Sequence, residues 1–336
     1  MLTDSGVLLR LILQAMTSAG VDVATLIQRC GLRLSDLQDK RLRTPHAAQQ
    51  QFWQVLQELT QDPDIGLTLA SHLPPYHGQV LEYLFLSSPN FGEGLRRAIN
   101  YERLLSDALQ GRLRREGDQA ILSLNLPSDS QRPFIELLAH GVITFFQKIT
   151  DSSFHPTALH FTFSQGASGE RYQALYGCPV SLGSTENSLH FAAHWLDTPS
   201  PHAEPELLAL HEQVASERVA ELERQDLIHA VRRVIGEHLE SGELSLECVA
   251  QQLGLRPRLL RSRLANADSS FNQILGDYRC RLAKRLLAGT DESIDQIVYL
   301  TGFSEPSTFY RAFRRWTDQT PVEYRRSRRG VNDHGE

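Results

Sequence analysis

The side chains with the most pointed chemistry in this 336-residue sequence lie near its end. Arg258, Leu259, Arg261 and Ser262 fall on one face of a predicted helix, and Ser307, Thr308, Tyr310 and Arg311 fall on the corresponding face of another. Arginine and the small hydroxyl residues reach base edges and phosphates in a DNA major groove. Leu259 offers apolar contact alone, of the kind a thymine methyl accepts, so readout there is expected to be loose. Both sets are positioned by one local design used twice. In the first copy Leu246, Val249, Ala250 and Leu253 form the apolar face of a helix, Gly254-Leu255-Arg256 turns the chain, and Pro257 opens a second helix buried through Leu260 and Leu264. In the second copy Ile294, Ile297, Val298 and Leu300 precede Thr301-Gly302-Phe303-Ser304, and Phe309 and Phe313 bury the helix that follows. Two apolar helices about a tight glycine turn are the helix-turn-helix pattern. A continuous helix from Phe271 to Leu287 joins the copies, a rigid connector able to hold two reading helices one DNA turn, about 34 Å, apart.

Other chemistries fare worse. His190 and His194 have the spacing of two helical metal ligands, but the pair begins in a predicted strand and lacks the glutamate of HExxH. His72 and His77 flank Pro74-Pro75 without a cysteine or carboxylate cluster nearby. There is no GxSxG, no P-loop and no strand-linked GxGxxG, so neither an enzyme nor a bound cofactor or metal is expected. Tyr299 and Trp316 could be a base-stacking pair, but their place in the repeat favours core or connector packing. Arg325, Arg326, Arg328 and Arg329 read as a tail touching phosphate without sequence preference.

The remainder of the chain must position these groups. Its length suits two domains, and 41% hydrophobic with 22% charged residues describes an ordinary soluble globular chain. No apolar run reaches 18 residues, the first residues lack a basic stretch ahead of an apolar core, and Cys30, Cys178, Cys248 and Cys280 are scattered singly; a cytoplasmic protein with reduced cysteines and no membrane partner is expected. The net charge of -6 conceals an asymmetry: the first 226 residues carry -9, the rest +3, and the stretch from Leu227 to Arg329 carries +5. A basic final third on an acidic chain fits a polyanion-binding module joined to something else.

That other part mixes helix and strand. Leu8, Leu9, Ile12, Leu13 and Met16 form a helical stripe ending at Gly20, and Val23–Ile27 is a short apolar segment stopping at Gly31. Thr44-Pro45 reads as the start of a helix carrying Phe52, Trp53, Val55, Leu56 and Leu59, with proline at the favoured first position. A further helix follows Pro89-Asn90. Arg112–Glu116 and Ala120–Leu126 alternate about Gly117-Asp118, the hairpin pattern. After Pro133 a long helix returns, then strands at Ala158–Phe163 and Ser188–Phe191 around a short helix near Tyr172–Tyr176. Three prolines between Pro199 and Pro205 make a stiff linker. The helix beyond it carries one stripe of Leu207, Leu210 and Val214 and a neighbouring one of Leu208, His211, Ala215 and Leu222, suited equally to pairing two chains or to packing on its own domain.

The stretch from Ser293-Ile294-Asp295-Gln296-Ile297 through Gly302-Phe303-Ser304-Glu305-Pro306-Ser307-Thr308-Phe309-Tyr310-Arg311-Ala312-Phe313-Arg314-Arg315-Trp316 to Thr320-Pro321-Val322-Glu323-Tyr324-Arg325-Arg326 closely resembles the signature of AraC-type transcription regulators. Five earlier stretches resemble, in the expected order, the arabinose-binding-like domain of the ornithine-utilisation-regulator-like subgroup. They are Glu82–Pro89, Leu95–Ala98, Tyr101–Asp107, Tyr176–Val180 and Pro201–Pro205. Carried over by position, the resemblance implies base contacts from Arg258, Arg261 and Ser262 and from Ser307, Tyr310 and Arg311. Glu305 and Pro306 stand at the start of the second reading helix, and Thr308, Arg314 and Arg315 would hold phosphates. Two positions depart from the family. Arg256 stands where a capping serine is usual, so its helix should start uncapped. Asp268 replaces a glycine, and aspartate tolerates the left-handed backbone needed there.

The expected fold is an α+β effector domain, many helices with a small sheet, followed by an all-α domain of two helix-turn-helix motifs on a connector helix. The expected divisions are 1–204 for effector binding and dimerisation, 205–226 for a linker helix, 227–330 for DNA binding and 331–336 for a tail. Tyr83, Phe85, Phe134, Phe145, Phe146 and Phe163 are candidates either for a pocket wall or for ordinary core. Arg103, with Arg96, Arg97 and Lys148, suits either an acidic ligand or a solvated face. The resemblance implies a homodimer on double-stranded promoter DNA, contact with RNA polymerase, and a small organic effector: an amino acid, a fatty acid or another organic acid. The alternative is a first domain that only dimerises or binds a partner protein.

Overall fold

The computed structural model describes residues 2–33, 35–39, 41–239 and 244–329, so the expected tail at 331–336 lies outside the described residues. The chain divides into two compact units, Met1–Val219 and Ala220–Glu336. The first is α+β with a small sheet and the second is all helix, as the sequence patterns anticipate.

The first unit opens with β1 (Thr3–Ser5), α1 (Gly6–Ser18), α2 (Val23–Arg29), β2 (Arg43–Pro45), α3 (Ala48–Thr60) and α4 (Ile65–Ala70). Strands β1 and β2 pair antiparallel, Thr3 opposite Pro45. Pro45 therefore does not open a helix: it ends an edge strand, and α3 starts three residues later. What holds this ribbon is non-local. Buried Asp4 accepts from the Ser106 hydroxyl and from Gln49 Nε2 at 2.6 Å, and lies 3.0 Å from His46 Nδ1.

Next come α5 (Val80–Ser87), α6 (Phe91–Asn100), β3 (Gln110–Glu116), β4 (Gln119–Asn125), α7 (Arg132–Ile149), β5 (Pro156–His160), α8 (Gly169–Tyr176), β6 (Val180–Ser181) and β7 (Asn187–Ala192). The hairpin forms in the expected register, Glu116 opposite Gln119. The sheet order is β3-β4-β7-β5-β6, antiparallel except for β5–β6. The expected third strand stops at His160, three residues early. Leu122, Leu159, Leu189 and Phe191 turn one sheet face into a core with Phe146 and Phe154, and Trp53, Leu56 and Met16 centre a second. Helices α4 and α7 supply both: Leu67 and Ile135 to the first, Ile65 and Phe134 to the second.

Helix α9 (Pro205–His238) follows. Its beginning rests on α5 and α6. Ala215 is buried with Val80, Leu81 and Leu84. His211 stacks on Tyr83 with ring centroids 5.4 Å apart, and Glu212 takes Arg97 Nε at 2.8 Å. The stripes are divided by position along the helix, Val214 of the first packing with Leu208 and Ala215 of the second. Leu208 and Ala215 pack inward, whereas Leu207 and Leu210 are about half exposed at 49% and 53%.

The second unit comprises the end of α9 with α10 (Leu246–Gln252), α11 (Pro257–Ala265), α12 (Phe271–Gly289), α13 (Ile294–Leu300), α14 (Pro306–Thr317) and α15 (Pro321–Arg329). Val231, Val234, Ile235 and Leu239 join Val249, Leu260, Leu264 and Ile274 in one core. Ala283, Leu287, Ile297, Phe309 and Phe313 make the other. Connector α12 contributes to both. Serines cap three helices: Ser245 starts α10, Ser270 starts α12, and Ser293 starts α13 in a reciprocal capping box with Gln296. Arg256 gives α11 no side-chain cap, and Asp268 adopts φ 49°, both as the family departures suggest.

The two glycine turns are not equivalent. Gly254 and Gly302 both have positive φ, 65° and 70°. A Cβ on Gly254 would meet nothing, but one on Gly302 would lie 2.7 Å from the Leu239 carbonyl. Gly254→Ala should therefore cost about 1 kcal/mol of second-unit stability and Gly302→Ala about 2 kcal/mol or more. Urea unfolding of the two variants compares them directly; equal losses would show that the close approach at Gly302 relaxes without cost.

Candidate nucleic-acid interface and buried cavity

On α11, packing of Leu260 and Leu264 leaves Arg258, Leu259, Arg261 and Ser262 exposed together. On α14, burial of Phe309, Ala312 and Phe313 leaves Pro306, Ser307, Thr308, Arg311, Arg314 and Arg315 exposed, with Glu305 at the helix start. Tyr310 is half-buried, its ring edge-on to Phe309 at 6.1 Å. Arg311 Nη2 donates weakly to Thr308 Oγ1 at 3.5 Å. Arg258, Arg261 and Arg315 have no side-chain partner among the described residues. The first unit is the contrast: Arg97, Arg114, Arg132 and Arg171 all sit in ion pairs. Exposed, uncommitted guanidinium groups on two equivalent helix faces are what phosphate and base-edge contacts require.

Other expectations fall differently. Trp316 packs on Phe303 at 6.2 Å between ring centroids, but Tyr299 is 64% exposed on α13 and belongs to no core. Its side of α13 faces away from the interior made by Ile297 and Val298. Arg325 is not part of a solvated tail: it is half-buried and Nη2 donates to the Glu292 carbonyl at 2.5 Å, tying α15 to the loop before α13. Arg328 lies 5.4 Å above the Tyr324 ring. Sequence patterning gave no weight to Arg279 of α12, yet its guanidinium stands 4.4 Å from the centre of the Phe303 ring and donates to the Gly302 carbonyl at 2.6 Å. It shares with Thr308, Arg311 and Arg315 a cleft between α12 and α14 of about 370 Å³. His190 and His194 stand on different elements, a strand and a 3-10 turn, which separates them as ligands.

The first unit holds a cavity of about 170 Å³ walled by α1, α5, α6, β4 and α7. Of the sequence-derived candidates, Phe85, Phe134, Phe145 and Phe146 line it. Tyr83, Arg103 and Phe163 stand elsewhere. Tyr83 is on the opposite side of α5 against His211, Arg103 Nε donates to Asp107 at 2.8 Å, and Phe163 stacks on Phe161 at 4.9 Å. Arg96, Arg97 and Lys148 are also engaged, with Glu93, Glu212 and Glu82. The wall holds one ionisable carboxyl that residue patterning passed over, Glu102, whose Oε2 accepts the Gly111 N–H at 2.7 Å. Its only sequence signal is an acidic residue between Ile99 and Leu105, at helical spacing from both.

Burial pushes the Glu102 carboxyl up to about 7, against a smaller lowering by the Gly111 N–H. The folded chain then keeps this proton at pH values where an unfolded chain has lost it. The stabilisation is full below the ordinary carboxylate range and disappears as pH rises through about 7. Between pH 5 and pH 8 the melting temperature of wild type should therefore fall relative to that of Glu102→Gln; a constant difference between the two would refute the raised proton affinity.

Residues 20–200 match the family model described as the arabinose-binding domain of AraC transcription regulator, N-term, and residues 249–327 match a helix-turn-helix domain model. The chain is 28% identical over 277 residues to the ornithine utilization regulator of Pseudomonas aeruginosa, covering 80% of each. It is also 28% identical over 291 residues to an uncharacterized HTH-type transcriptional regulator of Mycobacterium tuberculosis, covering 82% of each. The crystal structure of transcriptional regulator CdpR from Pseudomonas aeruginosa aligns with 91% of this chain and 99% of its own at 20% identity and a TM-score of 0.44. With the first match spanning over half of the sequence, the chain belongs to the AraC family of DNA-binding transcription regulators, its first domain of the arabinose-binding type and its last a helix-turn-helix domain.

Proposed function

We propose that this regulator is an effector-responsive homodimeric activator acting in the cytoplasm: residues 1–204 bind a small organic molecule, 205–226 link, and 227–330 read promoter DNA. The observation that carries the effector reading is the cavity within the first unit, lined almost wholly by aliphatic and aromatic side chains with a few polar ones, the make-up of a small-molecule site. Helices α5 and α6 wall the cavity through Phe85, Leu95 and Ile99 and seat the start of α9 through Leu84 and Arg97. An effector that prefers one arrangement of these two helices would bias the seating of α9, and with it the promoter-competent population. Activation would follow from contact with RNA polymerase. The half-exposed Leu207 and Leu210 on α9 support pairing of two chains along that helix. Replacing both by glutamate should raise the dimer dissociation constant at least about tenfold. Sedimentation equilibrium reads this, and an unchanged dimer would move the interface elsewhere.

In the DNA-binding domain Arg258, Arg261, Ser262, Ser307, Tyr310 and Arg311 are proposed to read bases, and Thr308, Arg314 and Arg315 to hold phosphates. Arg311→Ala should weaken binding to the cognate operator by about 1–3 kcal/mol and relax preference at one or two base pairs, whereas Arg315→Ala should weaken all sequences alike and flatten the salt dependence. Selection of binding sites from a random pool by each variant tests both assignments. A uniform loss for Arg311→Ala would place it on the backbone instead.

A further inference from the structure

The cavity wall also constrains the chemistry of its occupant. Among the described residues, no arginine, lysine or histidine side chain lines it. The cationic side chains that the sequence offered for an acidic ligand are paired elsewhere: Arg97 with Glu93 and Glu212, Lys148 with Glu82, Arg103 with Asp107. A ligand carboxylate would enter an apolar chamber without a counter-charge, at a cost of several kcal/mol. That argues against the amino-acid and organic-acid classes, including any zwitterion whose carboxylate needs a cation.

The polar side chains of the wall are Tyr76, Glu102 and Thr144. The Thr144 hydroxyl donates to the His140 carbonyl of its own helix at 2.9 Å, so it offers little to a guest. Glu102 is held for a different use. One oxygen takes the Gly111 N–H, and that approach depends on glycine, since a Cβ at Gly111 would lie 2.9 Å from Oε2. No basic side chain hydrogen-bonds or pairs with Glu102 among the described residues. A carboxyl so placed, fixed by one backbone donor and facing apolar side chains, has a binding partner missing from the protein itself.

We propose that the effector is a small apolar primary amine, its ammonium paired with Glu102 and its hydrocarbon body filling the space between Phe85, Ile99, Phe134 and Phe145. This rests on the effector reading of the same cavity and names its ligand class. The volume suits a body about the size of benzene, since an engineered apolar cavity of ~150 Å³ binds that molecule. A charge-assisted hydrogen bond to Glu102 supplies the selectivity for an amine over an alcohol of equal length.

The test uses the full chain and three matched probes, n-hexylamine, 1-hexanol and n-hexanoate, titrated by calorimetry into wild type, Glu102→Gln and the cavity-filling Ala98→Phe. The expected result is saturable hexylamine binding that exceeds hexanol, no hexanoate binding, a loss of about tenfold to a hundredfold for hexylamine in Glu102→Gln with hexanol unchanged, and no binding of any probe to Ala98→Phe. Hexanol binding as tightly as hexylamine, or hexanoate binding best, overturns the amine assignment while leaving the cavity as an effector site. No binding of any of the three to wild type overturns both. The comparison of probes on wild type decides the assignment even if Glu102→Gln does not fold.

Discussion

The double use of α5 and α6 is the constraint on which the first unit depends. Two short helices must bury one set of side chains in the cavity wall and another against α9, so neither helix has a face left to slide on. Phe85 lines the cavity on one side of α5 while Tyr83 and Ser87 meet His211 on the other. A buried charge fixes the rotation. Glu82, 1% exposed, accepts from Lys148 at 2.8 Å, from the Gly78 N–H at 2.6 Å, and lies 2.8 Å from His77. Those partners hold its carboxyl below the ordinary range even though burial works in the opposite direction. A carboxylate with three partners cannot turn to another face without leaving charge unpaired in the interior, which is far costlier than a misplaced leucine.

Charge is also what divides the chain by task. Several arginines of the first unit are neutralised locally, Arg97 by Glu93 and Glu212, Arg114 by Glu186, and Arg132 by Asp64 and Glu136. In the second unit Arg224 and Arg233 pair with Glu221 and Glu237 along α9, while others serve packing or are left open. Arg279 and Arg325 are spent on carbonyls at the base of the second helix-turn-helix, where they join connector, turn and last helix. Arg258, Arg261 and Arg315 are held out by helices whose opposite faces are fully buried. A net charge near +5 on the DNA-binding segment thus understates its field toward a polyanion, because the uncompensated charges are concentrated on reading faces.

Legibility in the sequence followed how local each feature is. Both helix-turn-helix motifs, the hairpin at Gly117-Asp118 and the start of α6 at Asn90 are set by neighbours within a few residues, and each formed where its pattern placed it. The β1–β2 ribbon was illegible: its strands are three residues long, and they persist through Asp4, Ser106, His46 and Gln49, brought together from sites up to a hundred residues apart. Pro45 was misread for the same reason, since local preference favours a helix start there and only a distant partner makes it a strand. In the cavity, aromatic residues were visible as candidates but their direction was not. Phe85 and Tyr83 are two positions apart on one helix and so face opposite sides, which residue type alone does not order. Glu102 was missed because a single carboxyl among apolar residues looks like a solvated helix position until the fold encloses it.

The two helix-turn-helix motifs also differ in how firmly they are built, and the difference runs against their shared pattern. The second is tied at every joint: a reciprocal cap starts α13, the Gly302 turn presses on Leu239, and Arg279 holds that turn from the connector while covering Phe303. In the first, α11 starts on Arg256 without a side-chain cap, the Gly254 turn has open space beside it, and Asp268 occupies a left-handed position that glycine would take at lower cost. A helix set on looser joints adjusts to the groove it meets, and with Leu259 in its centre it has one fewer polar group to misplace. If α11 and α14 read DNA as proposed, orientation on the duplex would be fixed from the α14 side, where the frame is rigid, and α11 would accommodate variation in the neighbouring groove.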